Sequence, residues 1–183
     1  MQSTHSVDAT SAIRTGDLPA EALLQRYRRD GAYTDCYYMD MPRAVSMTEY
    51  IGAFYTSPLF KVERHILALF AGKPSSDSGA KELALGQAER FAAWSVEGRA
   101  ANQLLLCDFL GRTRSWLMAV PLAQAPSNAT RLYFGSAVVP NSRAASGKAS
   151  FGFAFHALFG FHRLYTRALM RAARSQLAGA AQA

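Results

Sequence analysis

The chain is short of the residues that most protein chemistry leans on. Its 183 residues hold two cysteines, Cys36 and Cys107. These are too few and too far apart for a disulfide framework or a thiolate zinc site, and their apolar neighbours make each a small hydrophobe. Charge is sparse at 18%. No apolar run approaches the roughly 18–20 residues that a membrane-spanning helix needs. The richest run, Phe151 to Phe161, is too short, so no membrane insertion is expected. No Gly-x-Ser-x-Gly elbow, Gly-rich phosphate loop or His/Cys/Asp cluster at metal spacing occurs, so no metal site and no cofactor is expected. Met1 to Gly16 is polar and lacks the apolar centre of a signal peptide, which makes the expected compartment cytoplasmic.

What remains is a globular composition, 50% hydrophobic and 11% aromatic, with 11 Phe and 8 Tyr. That is enough apolar material for one well-filled core. The formal net charge is +7, with 20 Lys and Arg against 13 Asp and Glu. The excess is scattered arginine without a basic tail or a block of like charges. It reads as a solvated surface, and no nucleic acid partner is expected.

Along the chain, residues 1–17 read as a flexible leader, 18–178 as one domain and 179–183 as a tail. Leu18 to Arg29 has the spacing of a short helix ended by Asp30-Gly31. Tyr33 to Met41 reads as a strand stopped by Pro42. Ser46 and Glu49 form a capping box ahead of Met47, Tyr50, Ile51 and Phe54, and Ser57-Pro58 starts a second helix. Lys73 to Gln87 reads as a connector with one helical turn near Glu82. Strands are then expected over Arg90–Val96, Gln103–Phe109, Arg112–Leu122 and Thr130–Val139, with turns at Glu97-Gly98, Leu110-Gly111 and Pro126-Ser127-Asn128. Short connections make these strands antiparallel neighbours. In the third of them Trp116, Met118 and Val120 alternate with Thr113, Ser115 and Leu117, so one face is expected to be the more apolar. A final helix, capped by Ser150 and running to about Leu177, carries a buried stripe of Phe155, Leu158, His162, Tyr165 and Leu169. Arg163, Arg167, Arg171 and Arg174 form a second stripe expected to face water. The fold class is therefore α+β, an antiparallel sheet wrapped on one long C-terminal helix, with two short helices after the first strand.

The stretch Phe161-His-Arg-Leu-Tyr-Thr-Arg-Ala-Leu-Met-Arg resembles the C-terminal signature of an uncharacterised bacterial family. That family is grouped with the helix-grip superfamily (SRPBCC) of START-like lipid carriers, birch-pollen-allergen-like proteins and polyketide cyclases. Cys107-Asp108-Phe109, Arg131-Leu132-Tyr133-Phe134 and the Asp35-to-Pro42 strand resemble it too, so the likeness covers roughly residues 30 to 175. It implies the helix-grip fold and an internal pocket. It implies no reaction, because fold does not give function.

Seven residues are candidates for such a pocket. His162, on the apolar stripe, is either an acid, base or ligand-orienting group, or a core histidine bonded to a neighbouring strand or to Tyr133. Asp108 interrupts an apolar strand and is either a pocket acid or the partner of Arg112 and Arg114 at a hairpin end. Trp94, Trp116, Met118, Tyr133 and Phe155 would line an apolar cavity, or simply fill the core between sheet and helix. The run Glu63-Arg64-His65 spreads about 100° per residue around a helix and cannot converge on a metal. The function expected first is binding of a small apolar or amphipathic molecule, by a monomer or homodimer. The alternative is a cyclase, dehydratase or isomerase acting on a polyketide-like or aromatic substrate in the same cavity.

Overall fold

Alternation along four long strands decides the architecture. In a computed structural model, residues 12–62, 75–123, 128–140, 142–143, 149–150 and 153–180 are described, without the side chains of 142–143, 149–150 and 153–161. Strand β2 (Tyr33–Met41) follows a two-residue strand β1 (Arg14–Thr15) and a single-turn helix α1 (Gln25–Arg29). Helix α2 (Met47–Tyr55) comes next; residues 58–62 are helical (α3), and α4 spans Asp77–Ala84. Strands β3 (Arg90–Phe91), β4 (Trp94–Ala100), β5 (Gln103–Asp108), β6 (Thr113–Pro121) and β7 (Thr130–Val138) lead to a small pair, β8 (Ser142–Arg143) and β9 (Ala149–Ser150). Helix α5 (Phe153–Gly179) ends the described fold.

Among the described residues seven strands form one antiparallel sheet in the order β1-β2-β7-β6-β5-β4-β3. β7 is the centre. Its Ser136 stands opposite Asp35 of β2 on one side and Ser115 of β6 on the other. Side chains alternate across a strand, so one register fixes both faces.

The first face carries Tyr37, Met39, Leu104, Leu106, Leu117, Leu132 and Phe134. It packs with Tyr50, Ile51 and Phe54 of α2 and with Leu169, Met170, Ala173 and Leu177 of α5. Each such side chain, fully buried, contributes about 1.5–3 kcal/mol of transfer free energy. The second face carries Cys36, Leu105, Trp116, Met118 and Ala137, and the N-terminal segment lays Leu18, Ala22 and Leu24 over it. Both faces are therefore buried, and the face of Trp116 and Met118, expected to be the more apolar, is the one the N-terminal segment covers. Residues 14–15, expected in the leader, pair with β2 at the sheet edge.

Local signals explain most element ends. Ser46 Oγ accepts from the Glu49 amide at 3.1 Å while Glu49 Oε2 accepts from the Ser46 amide at 2.8 Å, which completes the capping box. Ser57 Oγ accepts from the Phe60 amide at 3.3 Å and caps α3. Three expectations need correction. The helix over 18–29 shrinks to Gln25–Arg29, because Gln25 Nε2 donates instead to the Leu18 and Pro19 carbonyls and holds that stretch in turns. The connector contains an eight-residue helix, α4, whose Ala80, Leu83 and Ala84 are buried and whose cap is Ser76. Glu97-Gly98 is a bulge inside β4, where the register shifts between Val96 and Gly98. The chain turns at 101–102 instead.

Candidate functional site

A cavity of about 140 Å³ lies between the first face of the sheet and α5. Its wall from the sheet includes Trp94 of β4, Ser115 of β6, and Phe134 and Ser136 of β7. Phe54 and Tyr55 of α2 and Phe60 of α3 close it with aromatic rings, and α5 contributes His162, Tyr165, Thr166 and Leu169. Those last four stand at i, i+3, i+4 and i+7, one face of a helix. The rings support one another: Phe54 stacks on Phe134 with centroids 5.1 Å apart, and Tyr55 meets Phe60 edge-on at 4.9 Å.

Two residues that line the cavity each bury a polar atom that has almost no accessible surface and no hydrogen-bond partner among the described residues: Trp94 Nε1 and Thr166 Oγ1. Thr166 is 1% exposed. A buried hydroxyl or indole N–H left unpaired costs about 1–3 kcal/mol, and native structures keep few of them. Across the cavity the Tyr55 hydroxyl and Ser115 Oγ lie 3.4 Å apart.

At one end of the cavity His162 meets the sheet. Its Nε2 lies 2.8 Å from Asp35 Oδ2 and 3.0 Å from Ser136 Oγ. Asp35 Oδ1 accepts from the Ser136 amide and from Ser136 Oγ, both at 2.8 Å. The Tyr33 hydroxyl also bonds to Asp35; burial first, then the carboxylate, hold that hydroxyl well above the usual tyrosine range. The Asp35 side chain is 9% exposed and that of His162 33%. Asp35 and Ser136 sit together because they are direct cross-strand partners on one face. Sequence reasoning places His162 here and misses Asp35, Ser136 and Thr166. Thr166 had a local signal, standing four residues after His162 and three before Leu169. Asp35 had none, since its importance comes from a register made across 101 residues of chain.

The other candidates divide. Trp94 lines the cavity with His162. Trp116, Met118 and Tyr133 do not: they belong to the second face, packed with the N-terminal segment. The pleat sends each of them away from α5, so the expected cluster of His162, Trp116 and Tyr133 is not formed. Asp108 lies on the same face as Trp94, its cross-strand partner, but its Oδ1 accepts from the backbone amides of Arg112 and Thr113 at 2.7 and 3.1 Å. It ties the β5–β6 turn through backbone groups, while the Arg114 guanidinium goes to Glu97 and to the Gly111 carbonyl. The side chains of Phe155 and Leu158, and the run Glu63-Arg64-His65, lie outside the described residues.

The arginine stripe of α5 is mixed. Arg163 and Arg171 are exposed, but Arg167 and Arg174 are half-buried, and Arg167 Nε is buried without a partner. Arg163 hydrogen-bonds the Tyr37 hydroxyl of β2, so part of the stripe turns toward the sheet edge. Burial, and then Asp35, push the Cys36 thiol up to about 12, which keeps it protonated and unreactive near neutrality. Among the described residues no group of three or more His, Cys, Asp or Glu could hold a metal ion. No described helix is long and apolar enough to cross a membrane. Comparison of the chain with protein-family models, with curated proteins and with solved structures returns no match.

Proposed function

We propose that this chain is a helix-grip binding protein for a small, mostly apolar molecule held between the sheet and α5, of the kind its resemblance to the START-like superfamily implies. The observation that carries the reading is the cavity itself, an apolar space between sheet and α5 lined by Phe54, Tyr55, Phe60, Trp94 and Phe134. The volume sets the size: an apolar cavity of about 150 Å³ takes a benzene-sized guest, and this one measures about 140 Å³. The ligand is then a single ring or its aliphatic equivalent, and not a long acyl chain.

Thermal melting with toluene, benzyl alcohol and indole tests this. At a ligand concentration 100 times Kd, binding stabilises the native state by about 2.7 kcal/mol, which a melting curve resolves. Leu169→Phe, which adds volume at the cavity wall, is expected to remove the shift. A wild type whose melting temperature responds to none of the three would overturn the proposal.

A further inference from the structure

Serine, threonine, histidine and arginine stand around the cavity, yet the surface it presents is almost wholly apolar. The side-chain partners explain the contrast. Ser136 donates its one hydroxyl proton to Asp35 Oδ1 at 2.8 Å, and its Oγ lies 3.0 Å from His162 Nε2. Ser115 Oγ lies 3.4 Å from the Tyr55 hydroxyl. Arg114 turns its guanidinium away, to Glu97 and to the Gly111 carbonyl. Trp94 Nε1 and Thr166 Oγ1 are unpaired among the described residues, but they have almost no accessible surface and offer nothing to a guest.

The strongest hydrogen-bonding group nearby is the Asp35 carboxylate, because bonds to a charged partner are the stronger ones. It does not reach the cavity. Its side chain is 9% exposed, and the residues that line the space on that side are His162 and Ser136 instead. The imidazole stands between carboxylate and cavity, with Nε2 2.8 Å from Oδ2. The other oxygen, Oδ1, is filled by the amide and the hydroxyl of Ser136. A guest hydroxyl entering this space gives up its bonds to water and meets no replacement, which is costly in an apolar interior. A site that offered an acceptor would do the reverse and reject the ring that lacks the hydroxyl.

We propose that the cavity selects single-ring hydrocarbons without a hydrogen-bonding group, a benzene, an alkylbenzene or a cycloalkane. His162 is the residue that determines this specificity: its ring keeps the Asp35 carboxylate and the Ser136 hydroxyl out of the guest's reach. The idea rests on the cavity reading above and adds to it the polarity of the ligand. Binding is non-covalent, and no proton changes hands.

Titration calorimetry of the full chain with toluene and phenol, which exchange a methyl for a hydroxyl on one ring, tests the proposal. Wild type is expected to bind toluene at least about tenfold more tightly than phenol, a difference of about 1.4 kcal/mol. His162→Ala opens Asp35 Oδ2 to the cavity, where a phenol hydroxyl can donate to it, and is expected to narrow that ratio about tenfold. His162→Phe sets a ring over the carboxylate again and is expected to keep the preference for toluene. The wild-type ratio decides by itself if a variant does not fold. Phenol bound by wild type as tightly as toluene overturns selection by polarity and leaves the cavity standing. An unchanged ratio in a folded His162→Ala overturns the role given to His162. Binding of neither ligand overturns the cavity reading together with this one.

Discussion

Thr166→Val tests whether a buried, unpaired hydroxyl on α5 weakens the fold. Thr166 is 1% exposed, and its Oγ1 has no hydrogen-bond partner among the described residues. Valine has the same branched shape and the same stiffness at χ1, and its helix propensity is close to that of threonine. The exchange therefore changes one thing, a hydroxyl for a methyl, inside a wall of Phe54, Phe60 and Leu169. An unpaired buried hydroxyl costs about 1–3 kcal/mol. Removing it should raise stability by about 1 kcal/mol, the lower end being expected because a hydroxyl bordering a cavity is less confined than one in solid packing. For a domain of 183 residues this raises the melting temperature by about 2–4 °C. Urea titration followed by tryptophan fluorescence, alongside calorimetry, measures both. The same variant should keep toluene. A loss of about 1 kcal/mol or more would show that the hydroxyl has a structural partner.

Two further perturbations test the frame around the site. Leu169→Ala, at a residue 4% exposed where α5 meets the sheet, should cost about 2–5 kcal/mol in urea titration; a cost below 1 kcal/mol would mean that α5 does not pack there. Gly135→Ala tests the pairing of β2 with β7, because a Cβ at Gly135 would lie 2.7 Å from the Asp35 carbonyl oxygen, with Trp116 at 3.0 Å and Leu24 at 3.1 Å. Backbone cannot step aside as a side chain can, so a loss of about 1–3 kcal/mol is expected, and a neutral result would show that the two strands are free to separate.

Strands were the most legible part of this sequence. Tyr33–Met41 is the strand expected, and Gln103–Asp108, Thr113–Pro121 and Thr130–Val138 differ from expectation by a residue or two at their ends. Each is bounded by a turn signal. The β3–β4 hairpin was hidden because Ala92, with φ of 53°, takes a left-handed position where a glycine would have announced the turn. The face assignment failed for a physical reason. Alternation tells which residues share a face, and it put Trp116 and Met118 together correctly. It does not tell which face meets α5 when both are apolar, and here the N-terminal segment buries the second one. The α5 stripe was legible at Leu169 and Tyr165, yet its deeply buried positions are Thr166, Met170, Ala173 and Leu177 as well, so the arginines expected to face water straddle its edge. Asp35 was invisible for the reason that makes it interesting. A carboxylate between Tyr33 and Tyr37 looks like an edge charge until β7 and α5 bring Ser136 and His162 to it.

The two tryptophans are served differently by the two faces of the sheet. Trp116 is fully buried on the second face, and its Nε1 donates to Gln103 Oε1 at 2.9 Å. The same oxygen accepts the Leu23 amide at 2.9 Å, and Gln103 Nε2 donates to the Glu21 carbonyl at 3.1 Å. A polar side chain is thus placed in an apolar layer so that one indole and one loop are satisfied together, as a low-dielectric interior demands. On the first face the same side chain, at Trp94, has its N–H buried beside a cavity and meets no acceptor. Indole bulk does not explain the difference, since both rings are packed. Nor does a general tolerance of unpaired groups, because this sheet pairs Trp116, Asp108, Asp35 and Ser136 with care. Among the described residues the unpaired buried atoms are spread: Trp94 Nε1 and Thr166 Oγ1 belong to side chains that line the cavity, while Arg43 Nε and Arg167 Nε lie elsewhere. The case for a guest therefore stands on the aromatic lining and on a space the size of one ring, which well-packed interiors fill.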